Sequence, residues 1–386
     1  MDIDKFKKSP AGKLIKTDRN YWAFIPNALP PKIDFNPSLI NLLAEANLLV
    51  GKLSETGSQL PNPNLIIQPY MRREAVESSK IEGTQASLSD LFRFEALGDE
   101  KKINGRQYKD VREVSNYVKA MEYGLKRLKE LPLCLRLIKE MHGKLMTGVR
   151  GEHLTPGEFR KSQNWIGRAG ATLNNATYVP PPVDEMKYAL NDLEKYLHNR
   201  ESYPVLVQCG IIHYQFEAIH PFLDGNGRIG RLLTALFLCE REYLKHPMLY
   251  LSEYFEHNRR DYYDGLLAVS ERGEWGNWIM FFLGAVVSQS KNAIDTSRKI
   301  IHLLETYQLK IHELHMPMLS LKLIEQLFMN PYITITEVAE RLNTTYPTAK
   351  SMIEKFLKAG IVVEITSRQR NKIYCAQALL NLLGKE

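Results

Sequence analysis

The chain has 386 residues, of which 44% are hydrophobic and 25% are charged. These proportions are typical of a folded globular protein and exclude a disordered chain, and the length is enough for two or three domains. No apolar run approaches the ~20 residues that a membrane-spanning helix needs, so we expect no membrane partner. The formal net charge of +7 suits a partner that carries phosphates, but a mildly basic protein without such a partner fits equally well.

The cysteines and the N-terminal residues predict a compartment. Cys134, Cys209, Cys239 and Cys375 are far apart and form no CxxC pair, which favours neither a zinc site nor a disulfide framework. The first ten residues, MDIDKFKKSP, lack the apolar segment of a secretory signal. We therefore expect a protein of the reducing cytoplasm.

The first hundred residues contain two helical patterns. Residues 1–36 are rich in Pro, Lys and Asn, and their prolines argue against a helix. Apolar residues at helical spacing predict a helix over 39–52, and the polar stretch 54–64 indicates a loop. A second helix is predicted over 71–81, with Gly83 as the residue that ends it.

The middle of the chain is helical apart from one segment. Residues 151–183 are rich in Gly and Pro and contain strand-like pieces near 165–166 and 177–179, which together predict a loop with a small β-hairpin. The other predicted helices are two over 105–150 and one each over 184–198, 204–219, 228–242, 258–271 and 275–314.

The sequence changes character from about residue 317. Three helical segments are followed by IVVEIT and KIYC, two strand-like pieces around the turn SRQRN, and this order is typical of a winged helix-turn-helix. The overall prediction is a mostly α protein, with an N-terminal region over 1–104, a helical core over 105–315 and the winged helix over 316–386.

Reactive side chains are concentrated in the segment 220–231, HPFLDGNGRIGR, which interrupts the helical pattern. Gly225 and Gly227 flank Asn226 where the next helix begins. Glycines permit the backbone angles that turn successive N–H groups toward one anion, and a helix N-terminus adds free donors and a favourable dipole. The segment therefore predicts a site for phosphate groups.

Four other residues of this segment supply the remaining parts of a phosphate-transfer site. Arg228 and Arg231 lie three apart on the new helix, and guanidinium groups match phosphate oxygens. Asp224 is an oxygen ligand of the kind that Mg²⁺ prefers, and His220 is of a type that serves as a general base. These parts together are what nucleotidyl or phosphoryl transfer requires.

The segment resembles the signature of the Fic family, HPFx(D/E)GNGRxxR, at every fixed position. The resemblance implies that His220 deprotonates a target hydroxyl and that Asp224 holds Mg²⁺ or Mn²⁺. It also implies that the loop 225–227 and Arg228 bind the α- and β-phosphates of ATP, and that Arg231 binds the γ-phosphate. The similarity extends over roughly residues 20–315, and it implies a Fic-type helical core with a β-hairpin flap.

Within that family, the intact GNGRxxR pattern favours transfer of AMP to a Ser, Thr or Tyr hydroxyl of a protein over the phosphate transfer of the Doc branch. Three alternatives stay open. They are a de-AMPylase in which Glu82 aligns a water, transfer of another group such as UMP or phosphocholine, and a nucleotide-sensing, DNA-binding regulator. His220 argues against the last, because a sensor needs no general base.

A second match lies upstream, where Ser78-Ser79-Lys80-Ile81-Glu82-Gly83 is similar to the family's inhibitory motif, (S/T)xxxE(G/N). A Glu82 carboxylate paired with Arg231 would occupy the guanidinium that the γ-phosphate needs. Ser78 lies one helical turn earlier and is predicted to form a hydrogen bond nearby. The resemblance therefore implies that Glu82 inhibits the enzyme.

Two further regions resemble parts of the family's site. Residues 155–160 and 163–167 are similar to the segment that leads into the flap, and the resemblance implies that the flap near 164–180 holds a target peptide as an added strand. Asn258, Tyr262 and Tyr263 fall where the family contacts adenine, although tyrosines of a helical core fit the same positions.

The winged helix carries basic side chains on its third predicted helix (346–358) and on its wing. They are Lys350, Lys355, Lys358, Arg368, Arg370 and Lys372. Such residues suit phosphate contacts, which makes DNA a candidate partner through residues 346–372. Winged helices also dock proteins or form dimers, so a homodimer is a second candidate, and self-modification is a third outcome to test.

Overall fold

The structure is a computed structural model, and it describes residues 1–58, 62–97, 105–168, 170–366 and 372–384. It is mostly helical, with two small antiparallel sheets, which confirms the predicted fold class. In this described part, no helix is both long enough and apolar enough to cross a membrane.

The N-terminal residues form structure that the sequence did not predict. A short helix, α1 (Ile3–Lys7), precedes a hairpin of β1 (Gly12–Lys16) and β2 (Trp22–Pro26). The pairing runs from Gly12 opposite Pro26 to Lys16 opposite Trp22. The expectation of no helix over 1–36 is therefore wrong at α1, where buried Phe6 anchors one short turn. Phe6 packs against Phe24 of β2, with ring centroids 5.1 Å apart.

Three helices follow, of which the first two were predicted over shorter ranges and the third was not predicted. They are α2 (Pro37–Ser58), α3 (Asn64–Ile81) and α4 (Leu88–Leu97). The predicted loop over 54–64 is wrong at its start, because α2 continues to Ser58. Helix α3 begins seven residues before the predicted 71 and contains Pro69, since burial of Leu65, Ile66 and Ile67 outweighs the lost backbone hydrogen bond.

Eight helices build the core. They are α5 (Gly105–Arg127), α6 (Leu135–Met146), α7 (Val183–Leu197), α8 (Val205–Ile219), α9 (Asn226–Glu240), α10 (Ser252–His257), α11 (Arg259–Arg272) and α12 (Trp275–Glu313). Helix α8 is buried along almost its whole length and packs against α7, α9, α11 and α12. The turn between α8 and α9, the segment rich in reactive residues, is therefore held by two buried helices.

The C-terminal residues form a winged helix-turn-helix, as predicted. Its elements are α13 (Leu319–Met329), β3 (Tyr332–Thr334), α14 (Ile335–Arg341), α15 (Tyr346–Lys358), β4 (Val363–Glu364), β5 (Ile373–Cys375) and α16 (Gln377–Leu383). The sheet has three strands in the order β3-β5-β4, one more than predicted. Arg368 and Arg370 lie outside the described residues.

The winged helix is attached to the region that carries the predicted inhibitory motif. Helix α13 packs on α3, and Asn330 donates a hydrogen bond of 3.1 Å to the carbonyl oxygen of Phe92 in α4. The hydroxyl groups of Tyr332 and Ser89 lie 2.7 Å apart.

Candidate active site

A cavity of about 680 Å³ opens where the turn between α8 and α9 meets the end of α3. Helix α11 and the Gly/Pro-rich segment before α7 form its other walls. The lining side chains and backbone that matter for function are Glu82, Trp165, Ile166, Glu217, His220, Gly227, Arg231, Arg259 and Tyr263. The structure therefore brings His220, Arg231 and Glu82 to one place, although 149 residues separate the last two along the chain.

The turn at the centre of the site is closed by one asparagine. Helix α8 ends at Ile219, and His220 has a φ of +49°, which directs the chain away from the helix axis. The side chain of buried Asn226 accepts a hydrogen bond from the Phe222 N–H and donates one to the Phe222 carbonyl, both at 2.8 Å. The amide side chain thus fixes the loop, and the backbone is left to face a ligand.

Replacing Asn226 with alanine is expected to lower the free energy of unfolding by about 2 kcal/mol, because two buried hydrogen bonds worth about 1 kcal/mol each are lost. Chemical denaturation followed by circular dichroism measures the change. Asn277→Ala is the matched control, since Asn277 is exposed and bonds only Glu274 in the described structure. Equal stability of the two variants would contradict the closing role of Asn226.

The N-terminus of α9 has the backbone geometry that the predicted phosphate site requires. Gly225 has a φ of +78° and begins the helix, and Ile229 donates back to the Gly225 carbonyl oxygen at 3.1 Å. The preceding N–H groups of Asn226, Gly227 and Arg228 therefore belong to the first turn, which has no intrahelical acceptor for them. These donors and the helix dipole favour an anion at this end of α9.

Arg231 is the most completely engaged cation of the cavity. It donates to a Glu82 carboxylate oxygen at 2.7 Å, to the Ser78 hydroxyl at 2.8 Å and to the Ser78 carbonyl oxygen at 2.9 Å. The Arg231 side chain is 2% exposed and that of Glu82 is 30% exposed. Burial acts to raise the pKa of Glu82, but the charge and hydrogen bond of Arg231, together with the charge of Arg228, outweigh it and hold that pKa below its usual range.

Ser78 forms a hydrogen bond beside Glu82, as the sequence predicted. The sequence suggested a hydrogen bond near Glu82, and the structure shows the hydroxyl bonded to Arg231. Ser78 and Glu82, at the end of α3, thus both accept hydrogen bonds from the guanidinium group of Arg231.

Arg228 points to different acidic groups. Its guanidinium lies 3.4 Å from a Glu113 oxygen and 3.7 Å from an Asp224 oxygen, and its side chain is 1% exposed. It is not among the described residues that line the cavity. Contact of the Arg228 side chain with the α- and β-phosphates stays a prediction, and its backbone N–H is one of the free donors in the first turn of α9.

Asp224 is the one predicted metal ligand, and its carboxylate suits that role. Its side chain is 32% exposed and accepts a hydrogen bond of 2.7 Å from the Gly225 N–H. Within the described residues, no group of three or more His, Cys, Asp or Glu could enclose a metal ion. A single carboxylate fits Mg²⁺ when the other ligands are nucleotide phosphates and waters.

His220 is held with a neutral ring. Its Nδ1 lies 3.2 Å from the Glu217 carbonyl oxygen, which leaves Nε2 for a substrate. Burial lowers the pKa of His220 to about 4, with the charge of Arg160 adding to this effect and the Glu217 carbonyl opposing it. The neutral ring can accept a proton near pH 7, as a general base must.

Sequence reasoning missed two residues that fix the backbone of His220. Buried Arg160 donates to the His220 carbonyl oxygen at 3.0 Å and also to that of Pro181, and Asn164 donates to the His220 carbonyl at 3.1 Å. Both residues stand in segments that were assigned only to the approach to the flap. Their spacing gave no signal, because the contacts to His220 span at least 56 residues.

The three candidate adenine contacts have different surroundings. Tyr263 is 42% exposed and lines the cavity. Tyr262 also lines it, but it is buried and its hydroxyl lies 2.8 Å from Nε2 of His213. Asn258 donates to the Tyr254 carbonyl oxygen at 2.8 Å and is absent from the described lining. Adenine binding by these residues stays a prediction.

The predicted flap is present in reduced form. The two strand-like pieces meet in one antiparallel bridge, between Ile166 and Tyr178. In the described residues this pairing does not extend into longer strands. Tyr178 is fixed to α8 by a hydrogen bond of 2.9 Å to the Ala218 carbonyl, and Trp165 is 41% exposed above the cavity. Peptide binding by residues 164–180 stays a prediction.

Comparison with known families matches three parts of the chain. Residues 40–126 match the family model described as "Fic/DOC family N-terminal", and residues 132–238 match "Fic/DOC family". Residues 319–363 match "Winged helix-turn-helix DNA-binding". The matched segments include the end of α3, the turn between α8 and α9, and helices α13 to α15.

Curated relatives share the same region. The chain is 28% identical over 206 residues to "Protein adenylyltransferase Fic" of Aedes aegypti, a match that covers 52% of this chain and 37% of the relative. It is 28% identical over 167 residues to the protein of the same name from Drosophila grimshawi, covering 42% of this chain and 32% of the relative. The matched region thus spans about a third of the length of these relatives.

Solved structures share the fold. A Fic family protein from Desulfovibrio desulfuricans G20 superimposes with a TM-score of 0.56 at 22% identity, over 90% of this chain and 98% of that one. A Fic domain containing signaling protein from Bacteroides thetaiotaomicron gives a TM-score of 0.52 at 18% identity, over 68% and 96% of the two chains. The two family matches, the signature turn and this shared fold show that the chain belongs to the Fic/DOC family, with a winged helix-turn-helix after its Fic domain.

Proposed function

We propose that this protein transfers AMP from ATP to a Ser, Thr or Tyr hydroxyl of a protein, and that Glu82 holds it in an inhibited state. The observation that carries the proposal is the contact of 2.7 Å between Glu82 and Arg231 in the cavity that also contains His220. The name of the curated relatives supports the AMP-transfer part.

The groups of the cavity suit each step of such a transfer. Nε2 of His220 accepts the proton of the target hydroxyl, whose oxygen then bonds to the α-phosphorus while pyrophosphate leaves. The N–H groups at the start of α9 bind the phosphates. Mg²⁺ held by Asp224 would neutralise phosphate charge when bound. Freed of Glu82, Arg231 would bind the γ-phosphate and so orient the nucleotide.

Inhibition follows from the position of Glu82. Its carboxylate lies beside Gly227, so closely that even a methyl group on that glycine would collide with it. At the place where a γ-phosphate would bind Arg231, the Glu82 carboxylate would therefore both block it sterically and repel its negative charge. ATP would then bind in a pose that does not present the α-phosphorus to His220.

The target peptide is proposed to lie beside the flap. Ile166, Gly167 and exposed Trp165 border the cavity on the side of His220. A peptide that pairs with this backbone as an added strand would bring its hydroxyl to the ring.

Intact-mass spectrometry of the Glu82→Gly variant after incubation with ATP and Mg²⁺ tests the reaction. We expect self-modification, seen as a mass gain that matches AMP, and a smaller gain or none in the wild type. Parallel incubation with UTP tests the alternative nucleotide. Absence of any AMP adduct, on the protein itself or on proteins of a lysate, would contradict AMP transfer.

We further propose that the winged helix binds DNA. Helix α15 buries Ala349, Met352, Ile353 and Phe356 and leaves its opposite face in solvent, including Lys350 and Lys355. An exposed third helix with two such cations has the form that enters the major groove.

The double variant Lys350→Glu/Lys355→Glu is expected to weaken binding to duplex DNA and to reduce the salt dependence of the affinity by about one unit of slope per lost phosphate contact. Fluorescence anisotropy at several salt concentrations measures both. Lys187→Glu, at an exposed lysine of α7, is the control with the same charge change per residue. DNA affinity equal to that of the wild type in the double variant would favour protein docking.

A further inference from the structure

One acidic group of the cavity has no part in the transfer as described above. Glu217 lies on the last turn of α8, three residues before His220, and its side chain is 11% exposed. Its Oε1 atom is buried and has no hydrogen-bond partner among the described residues. That atom lies against Gly230 of α9, where any added side chain would collide with it.

The placement is costly for a carboxylate. Burial raises the pKa of Glu217 to about 7, with Arg231 acting to lower it and Glu82 acting to raise it. Buried polar atoms are ordinarily paired, and an unpaired acceptor inside a helical core reduces stability. The absence of a side chain at Gly230 leaves room for the Glu217 carboxylate. Helices α8 and α9 thus accommodate a side chain that stabilises neither of them.

The ring of His220 lies close to this carboxylate. The Glu217 carbonyl oxygen is 3.2 Å from Nδ1 of His220, and the Glu217 Oε2 atom is 3.9 Å from the same nitrogen. Nδ1 is therefore the N–H of the neutral ring, and Nε2 is the nitrogen that can accept a proton. Once Nε2 is protonated the ring is a cation, and an anion 3.9 Å away in a site of low dielectric lowers its energy.

We propose that Glu217 is a positioning residue for His220, whose carboxylate stabilises the imidazolium that forms when the ring takes the proton of the target hydroxyl. The inference rests on the proposed AMP transfer. In the step concerned, the proton moves from the hydroxyl to Nε2, the oxygen forms its bond to the α-phosphorus, and the bond to pyrophosphate breaks with its electron pair leaving on pyrophosphate.

Other charged groups face the pair from each neighbouring element. Arg231 of α9, Glu82 after α3 and Tyr262 and Tyr263 of α11 act on Glu217. Arg160, Glu82 and Asp224 act on His220. Of the acidic groups, Glu82 leaves in the active state and Asp224 is committed to the metal, so Glu217 is the carboxylate that remains for the ring.

The direction of the pH dependence follows. Only ionised Glu217 stabilises the imidazolium, so the rate constant of transfer is expected to fall as the pH falls through the pKa of Glu217. In a Glu82→Gly background this fall in rate is expected at a lower pH than with Glu82 present, because the substitution removes a carboxylate that raises the Glu217 pKa.

The kinetic test compares Glu217→Gln with Glu271→Gln, both in the Glu82→Gly background. Glu271 is a buried glutamate of α11 that pairs with Arg272 and does not line the cavity. We expect Glu217→Gln to lower kcat roughly 10- to 100-fold, a part of what a general base contributes, to leave the KM for ATP within about twofold, and to remove the acid limb. Glu271→Gln should change none of these. An unchanged kcat and pH profile in Glu217→Gln would overturn the proposal.

A second readout is independent of activity and so separates this inference from the proposed function. In ¹⁵N-histidine NMR of the wild type without nucleotide, the ring nitrogens of His220, assigned with His220→Ala, should shift in a step near pH 7 as Glu217 ionises. The Glu217→Gln variant should lack that step and keep its circular dichroism spectrum. The same step in both proteins would refute the coupling, whereas a lost step with no AMP transfer by any variant would refute only the proposed reaction.

Discussion

Replacing Glu82 with glycine is expected to raise the rate of AMP transfer about 100-fold or more. The Glu82 carboxylate and Arg231 form a nearly buried ion pair with 2.7 Å between nitrogen and oxygen. Breaking such a pair while one partner stays buried costs several kcal/mol, and each 1.4 kcal/mol corresponds to a factor of ten in the population of the competent state. Initial rates of AMP incorporation from labelled ATP measure the change.

Two further variants separate charge from backbone effects. Glu82→Gln keeps the side-chain length and removes the charge, so it should activate, although less than glycine because the amide still fills the space beside Gly227. Glu77→Gln makes the same charge change on α3, where Glu77 pairs with Lys80 at 2.8 Å, and should leave the rate unchanged. If all three variants keep the wild-type rate, Glu82 has no inhibitory role.

Replacing His220 with alanine in the Glu82→Gly background should lower the rate of transfer by about 10²- to 10⁴-fold, the usual contribution of a general base. The fold and ATP affinity should persist, because the Arg160 and Asn164 contacts reach the His220 carbonyl oxygen and need no imidazole. Single-turnover kinetics and isothermal titration with ATP measure the two quantities.

The control for this prediction is His198→Ala, an exposed histidine at the end of α7. That variant should transfer AMP at the rate of its Glu82→Gly parent. A His220→Ala protein with the parental rate would remove the ring from the reaction. One that no longer binds ATP would show that the ring orders the phosphate site instead.

The sequence predicted those parts of the molecule whose information is local. The run from His220 to Arg231 places a helix end, a glycine turn and a helix start within twelve residues, so its geometry follows from short-range rules. The winged helix could be predicted for the same reason, because local capping residues, such as Thr334 with Glu337, mark where its helices begin.

Long-range contacts explain what the sequence did not predict. The clamp from Arg160 to the His220 carbonyl and the pairing of Arg228 with Glu113 join residues that no spacing rule connects. The β1–β2 hairpin was missed because each strand has only five residues and because β2 packs on Tyr178 and α8, which are distant in sequence. One long-range contact was predicted, that of Glu82 with Arg231 across 149 residues. It was predicted because the end of α3 resembles a known motif.

The buried guanidinium of Arg160 has a consequence for how the targets of the proposed transfer could change over time. It joins the carbonyl oxygens of His220 and Pro181, so the base and the root of the flap form one rigid unit. Residues 170–175, which form the tip of the flap between Ile166 and Tyr178, are by contrast mostly exposed and lie beyond that fixed point. Under the proposed function, substitutions at the tip would therefore alter which protein surface is accepted without displacing the ring, whereas substitutions near Arg160 and Pro181 would displace it. New target preference is thus expected to arise by exchange of residues at the tip, on an unchanging chemical centre.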